Sequence, residues 1–384
     1  YALLVRTYLP AFLFLLAHGG CVPEGYGAST SAIVYGEDSR KEPNESESEL
    51  FVGIARAQVA VRIVDWAIDE NETEVQITYT RTLQQSEDLC EGQAFAEQIA
   101  PGSCSATLID ERHLLTAAHC VSDPDECDGS HYWVFGFEAL ADGTLAPLTR
   151  DDVYSCTRVL VSDVAADYAI VELSRAVVGR SPVDVRITHD GLSTGTPLAL
   201  VGFPSGLPVK IDEGGEVRAS ISGASFRATV DAFSSSSGSG VFDESGRLVG
   251  FLQQGGVDYV NTGACNVVNV VDTPADGGEI MAYLDLVLAA YCEANSTSAL
   301  CTCDGPCRDS PAPADAGVDA GAGDAGAGLD AGLSMGDVGV DAAERTNDAG
   351  TVPFSNESGC SSSGGAPGGV WLLLIWCALI RRRR

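Results

Sequence analysis

The stretch Leu114-Leu115-Thr116-Ala117-Ala118-His119-Cys120 places a histidine directly before a cysteine, after a strand-like apolar run and two small residues. A second cysteine stands upstream, in Gly102-Ser103-Cys104-Ser105-Ala106-Thr107-Leu108-Ile109. A disulfide from Cys104 to Cys120 would pin the histidine loop to the preceding strand. Such a pin suits a general base, which must sit at hydrogen-bond distance from its nucleophile.

Outward from this stretch, residues Phe51 to Cys292 share one texture. Short β-branched and aromatic runs alternate with Gly, Asp, Ser and Pro clusters, as in Gln58–Val64, Val75–Tyr79, His131–Phe137, Pro197–Phe203 and Arg247–Leu252. Many short strands with turn signals between them predict an all-β barrel or sandwich. Ile280, Tyr283, Leu284, Val287 and Leu288 recur at helical spacing, which predicts one C-terminal helix over Glu279–Tyr291.

Two further positions complete a possible catalytic set. Asp167 opens the apolar run Tyr168-Ala169-Ile170-Val171, and Ser237 lies in Ser234-Ser235-Ser236-Ser237-Gly238-Ser239-Gly240-Val241-Phe242. Taken alone, Asp167 also reads as a loop cap and Ser237 as part of a polyserine loop. Taken in order, His, Asp and Ser are the base, the group that fixes the base's tautomer, and the nucleophile of acyl transfer.

These motifs resemble those of the trypsin/chymotrypsin-like serine peptidases. The resemblance spans about residues 32 to 292. It implies a chymotrypsin-like fold of two six-stranded antiparallel barrels followed by a helix, with His119 and Asp167 in the first barrel, Ser237 in the second, and a join near Val177–Pro182. It also implies an oxyanion hole from the backbone N–H groups of Ser235 and Ser237. Two positions depart from the family pattern: Ser235 replaces a glycine, and Ser236 replaces an Asp or Asn. Ser236 cannot form the ion pair that activates trypsin-like zymogens, so no switch of that kind is expected.

Flanking stretches are similar to the bacterial branch near the glutamyl endopeptidases. They are Ile33–Arg40, which looks like a mature start, Leu89–Gln98, and Val201–Pro208. Substrate preference is less defined. Asp231 lies six residues before Ser237, where trypsin-like enzymes bind Arg or Lys, but it could also face away and cap a turn. Gln253 and Gly255 are the other candidate pocket residues. A glutamyl endopeptidase would want a histidine on this strand, and Leu252-Gln253-Gln254-Gly255-Gly256 offers none. The rival reading is a catalytically inactive binding or scaffold protein on the same fold.

Composition narrows the setting. The chain has 384 residues, a formal net charge of −32 and thirteen cysteines. That acidity argues against nucleic acid, since phosphate binding needs a basic face. Residues 1–21 resemble an export signal, with Cys21 a possible lipidation site. In an exported chain the cysteines read as disulfides. Residues 22–50 form a polar segment, 51–292 the peptidase-like domain, and 293–310 a cysteine-rich segment. Cys301, Cys303 and Cys307 fit no zinc spacing, so disulfides are the better reading. Residues 311–358 repeat Asp-Ala-Gly and cannot bury enough apolar surface to fold, which predicts a disordered linker.

Residues 359–384 place Cys360 before a short apolar run and four arginines. This order resembles the myxobacterial C-terminal sorting tail and implies sorting and processing machinery as a partner and the cell surface as destination. The expected protein is a monomer that acts on proteins or peptides, without cofactor or catalytic metal.

Overall fold

The computed structural model describes residues 34–71, 74–121, 127–187, 192–271 and 277–302. The export segment with Cys21, most of the cysteine-rich segment, the Asp-Ala-Gly linker and the tail with Cys360 lie outside the described residues. The description below concerns the first of two compact units, Tyr1–Asp315.

The structure is the expected chymotrypsin-like all-β double barrel. The first sheet runs in the order Cys156–Asp163, Tyr168–Leu173, His113–Thr116, Gly102–Asp110, Val59–Val64, His131–Phe135, Val153–Tyr154. Its two edge strands are consecutive in sequence, parted only at Ser155, so the sheet curls until one bent segment supplies both edges. The second sheet runs Pro197–Gly202, Gly240–Phe242, Leu248–Gln254, Glu279–Tyr283, Ser225–Ala228, Lys210–Ser220. Here Pro197–Gly202 also pairs with Lys210–Ser220, which closes six strands by hydrogen bonds.

Each barrel fills with the inward residues of its alternating strands. Leu108, Leu114, Trp133, Phe135 and Tyr154 pack inside the first, and Leu200, Val217, Phe226, Val241 and Met281 inside the second. A third cluster joins residues of both sheets, including Val61, Leu115, Val201, Phe242 and Phe251. Burial at roughly 25 cal/mol per Å² makes that shared core the main force holding the sheets as one body.

Three local features differ from the sequence reading. Glu279–Tyr283 is a strand, and the helix begins later, at Asp285–Ala294. The apolar residues of Glu279–Tyr291 mixed a period of two with a period near 3.6, and barrel closure claimed the first part. A helix also forms at Glu49–Ala57, where Ser48 accepts a hydrogen bond from Phe51 N and Phe51, Val52, Ile54 and Ala55 are buried. Third, residues 34–41, expected ahead of the domain, are part of the fold. Val34–Tyr35 pairs with Val270–Val271, and Arg40–Lys41 pairs with Lys210–Ser220.

Among the described residues four disulfides are formed: Cys90–Cys265, Cys104–Cys120, Cys127–Cys156 and Cys292–Cys301. The C-terminal helix is further tied by Tyr291, whose hydroxyl meets Asp110 and lies 3.1 Å from His113 Nδ1. Burial would raise the Asp110 carboxyl, but hydrogen bonds from His113, Ser298 and Tyr291 hold it well below the usual range.

Candidate active site

The Cys104–Cys120 bridge ties the turn Ala118–Val121 to strand Gly102–Asp110, as the sequence predicts. His119 emerges from that turn half-exposed. Its Nδ1 lies 3.0 Å from both carboxylate oxygens of Asp167, and its backbone N donates to Asp167 Oδ1 at 3.0 Å. A carboxylate on Nδ1 fixes the tautomer that leaves Nε2 free to accept a proton. The Asp167 hydrogen bond raises the His119 pKa against the opposing effect of burial.

Asp167 reaches this position from an uncommon backbone, φ +49°. The left-handed region is open to Asp at modest cost. The turn is set by Asp163, whose Oδ1 accepts from Ala165 N at 2.9 Å and Ala166 N at 3.0 Å. Gln253, from the second barrel, holds the same turn: its Nε2 donates to Ala166 O at 2.5 Å and approaches Asp167 O at 3.5 Å. Gln253 therefore serves the acid turn and does not line the cavity beside Ser237.

Ser237 lies across the barrel interface. Ser105 N donates to Ser237 O at 2.9 Å, and Cys120 Sγ lies 3.7 Å from the same oxygen. His119 and Ser237 share no hydrogen bond; the disulfide and the Ser105 strand hold their backbones side by side. Gly238, at φ +85°, is required by closeness as well as conformation. A Cβ there would lie 2.2 Å from Ser105 O and 2.4 Å from Thr116 Oγ1.

The serine loop is organised by its carbonyls. Ser234 O accepts from Ser205 N, and Ser236 O accepts from Ser239 N at 2.8 Å. A trans peptide points its N–H opposite to its C=O. Anchoring these two carbonyls therefore turns the N–H groups of Ser235 and Ser237 the other way, where neither finds a partner among the described residues. The intervening peptide is fixed at both ends: Ser235 O accepts from Ser105 Oγ at 2.9 Å, and Ser236 N donates to Phe233 O at 2.9 Å. Two free donors two residues apart beside a candidate nucleophile are what stabilisation of a developing oxyanion requires.

Among the described residues five non-glycine residues have positive φ, and three of them, Asp167, Ser205 and Ser235, belong to this site. Ser235 stands at φ +67° where the family pattern has glycine. Ser236 is fully buried, and its Oγ accepts from Phe233 N at 3.3 Å.

A cavity of about 570 Å³ adjoins Ser237 and is lined also by Phe233, Gly255, Asp258, Tyr259 and Glu87, with no basic side chain in its wall. Gly255, a candidate pocket residue, lines this cavity. Asp231 does not. It is 2 % exposed and faces the N-terminal segment, where its carboxylate accepts from Tyr35 N at 3.0 Å, Ser39 N at 2.7 Å and Ser39 Oγ at 2.9 Å. Burial and the adjacent Asp212 push the Asp231 carboxyl up to about 7. Three acids at or near the cavity, Glu87, Asp258 and Glu279, escaped the sequence reading. Burial pushes Asp258 up to about 6 and Glu279 up to about 8. Glu279 follows a glycine and Asp258 follows Gly255-Gly256-Val257, and neither setting marks a buried acid.

Cys104, His119 and Cys120 cluster closely enough to suggest metal ligands. Both sulfurs are joined in the disulfide, so neither is the thiolate that zinc needs. No helix among the described residues is long and apolar enough to cross a membrane.

Comparison with known proteins bears on the same residues. Residues 104–251 match the family model for the trypsin-like peptidase domain. The matched stretch contains His119, Asp167 and Ser237. No curated protein matches the chain. Among solved structures, a glutamyl endopeptidase bound to MPD is 18 % identical with a TM-score of 0.39, covering 68 % of this chain and 100 % of that one. The active form of the Rv3671c protease from M. tuberculosis is 12 % identical with a TM-score of 0.40, covering 73 % and 95 %. Its inactive form is 13 % identical with a TM-score of 0.39, covering 68 % and 98 %. The disulfides among the described residues fit an exported protein.

Proposed function

We propose that the protein is a serine endopeptidase. The observation that carries this reading is His119 held through Nδ1 by Asp167 beside a serine loop with two unpartnered backbone donors. Ser237 Oγ attacks the scissile carbonyl as His119 Nε2 takes its proton. The Ser235 and Ser237 N–H groups receive the oxyanion. His119 then returns the proton to the leaving amine, and water releases the acyl group by the same steps in reverse order.

The cavity beside Ser237 receives the side chain before the cut. Its wall carries Asp258 and Glu87 and no cation, which supports a preference for basic over acidic side chains. Asp231 has no part in this preference. It anchors residues 34–41, and this replaces the ion pair that Ser236 cannot make. Export, with attachment to the surface through Cys21 or the tail around Cys360, completes the proposal; the four disulfides fit that compartment.

A panel of internally quenched peptides differing only before the cut tests the reading. Cleavage should be abolished in Ser237→Ala and strongest after Arg or Lys. Undiminished cleavage by Ser237→Ala would overturn the mechanism, and preference for Glu would overturn the pocket assignment. The inactive scaffold reading draws on the missing His119–Ser237 hydrogen bond and predicts no cleavage of any peptide by wild type.

A further inference from the structure

The glycine-to-serine change at Ser235 has a partner in the first barrel. Ser105 is completely buried on strand Gly102–Asp110 and uses every polar group it has. Its N–H donates to Ser237 O at 2.9 Å, and its Oγ donates to Ser235 O at 2.9 Å. The same Oγ accepts from Phe203 N at 3.1 Å. Its carbonyl accepts from Thr116 Oγ1 at 2.7 Å. One residue of the first barrel thus holds alternate carbonyls of the candidate nucleophile loop in the second.

We propose that Ser105 is a positioning residue that holds Ser235 in its left-handed conformation and so keeps the Ser235 and Ser237 N–H groups aimed at the oxyanion. The inference rests on the peptidase reading above. A serine at φ +67° is disfavoured relative to extended or helical backbone, whereas glycine adopts that φ freely. A chain with serine here must fix the peptide from outside. The Ser105 hydroxyl does this at Ser235 O, while Ser235 Oγ reaches Gly102 O at 3.3 Å on the same strand. A hydroxyl that donates to one fixed group and accepts from another cannot rotate away, so the anchor is rigid. The donors are then set before substrate arrives, which is the condition for electrostatic stabilisation of the transition state.

The test is a double-mutant cycle on peptide cleavage, with fluorophosphonate labelling of wild type as the reference. Ser105→Ala should lower kcat by roughly tenfold or more with KM changed less than about twofold, since donors that meet only the transition state are lost. In a Ser235→Gly background the same substitution should cost less than about threefold, because glycine holds this φ unaided. Thr116→Val loosens Ser105 at its own carbonyl and carries the comparison if Ser105→Ala does not fold. It should lower kcat severalfold, again with KM nearly constant.

Unchanged kcat in these variants, a loss confined to KM, or an equal loss in both backgrounds overturns the proposal while wild type still cleaves and labels. A wild type that neither cleaves nor labels overturns the peptidase reading and this inference together.

Discussion

The two halves of the candidate site are built on different rules. In the first barrel the chemistry lies in side chains: an imidazole, and a carboxylate 3.0 Å from its Nδ1. Both residues lie in the motifs that carry the resemblance. In the second barrel, apart from Ser237 Oγ, the chemistry lies in the backbone. What counts there is which way peptides point, and that is fixed by carbonyl anchors from Ser105, Ser205 and Ser239. A backbone donor can survive a change of side chain when its peptide is held elsewhere. The side-chain half therefore keeps its residues, while the serine loop replaces both a glycine and an Asp or Asn.

This contrast can be broken at several points. Loss of the nucleophile should have the largest effect: Ser237→Ala or His119→Ala should lower kcat by roughly 10⁴-fold or more, read by steady-state cleavage. Asp167→Asn should cost about 10⁴-fold, because an amide can hold the wrong tautomer. The pH profile sharpens this. Asp167 raises the His119 pKa, and the base works only when neutral. Activity should thus rise with pH through an inflection above the ordinary histidine value near 6.5. Residual activity of Asp167→Asn should rise at lower pH. A profile that does not move would deny the pair its role.

Gln253→Ala releases the acid turn at Ala166 O without touching the cavity beside Ser237. It should lower kcat by roughly tenfold and leave the residue preference of the peptide panel intact. A changed preference with unchanged kcat would return Gln253 to the pocket.

The smallest expected effect concerns stability. Burial raises Asp231, Asp258 and Glu279 to about 7, 6 and 8, and raises Asp212 as well. Raised carboxyls bind protons more tightly in the folded state, so their contribution is full below pH 4 and is lost as pH rises through these values. Asp110 acts oppositely, but its contribution is already complete above pH 5. Between pH 5 and pH 8 the melting temperature should fall, by roughly 3 °C or more. Asp231→Asn should flatten part of that slope in a thermal scan.

What the sequence made legible follows the same division. Alternating strands, the Cys104–Cys120 pin, and the order of His119, Asp167 and Ser237 were readable, because side-chain identity and period-two patterning carry them. The Glu49–Ala57 helix was not, since its apolar face is only nine residues long and directly follows an acidic, polar run. The strand at Glu279–Tyr283 was hidden by the helix that follows it. Asp231 illustrates the harder limit. Its spacing from Ser237 was right for a pocket acid, but residues 34–41 fold back across nearly two hundred positions to claim its oxygens. No local pattern announces that contact. Ser105 was visible only as a small residue after a cysteine; its bonds to Ser235 and Ser237 appear only once the barrels meet.

The most direct measurement is the mass-spectrometric location of a fluorophosphonate adduct on the wild-type protein. Four serines stand in a row from Ser234 to Ser237, so the site of the adduct decides among them. A single adduct on Ser237, absent from His119→Ala, is the expected result. No adduct, or one on Ser234, Ser235 or Ser236, would contradict it.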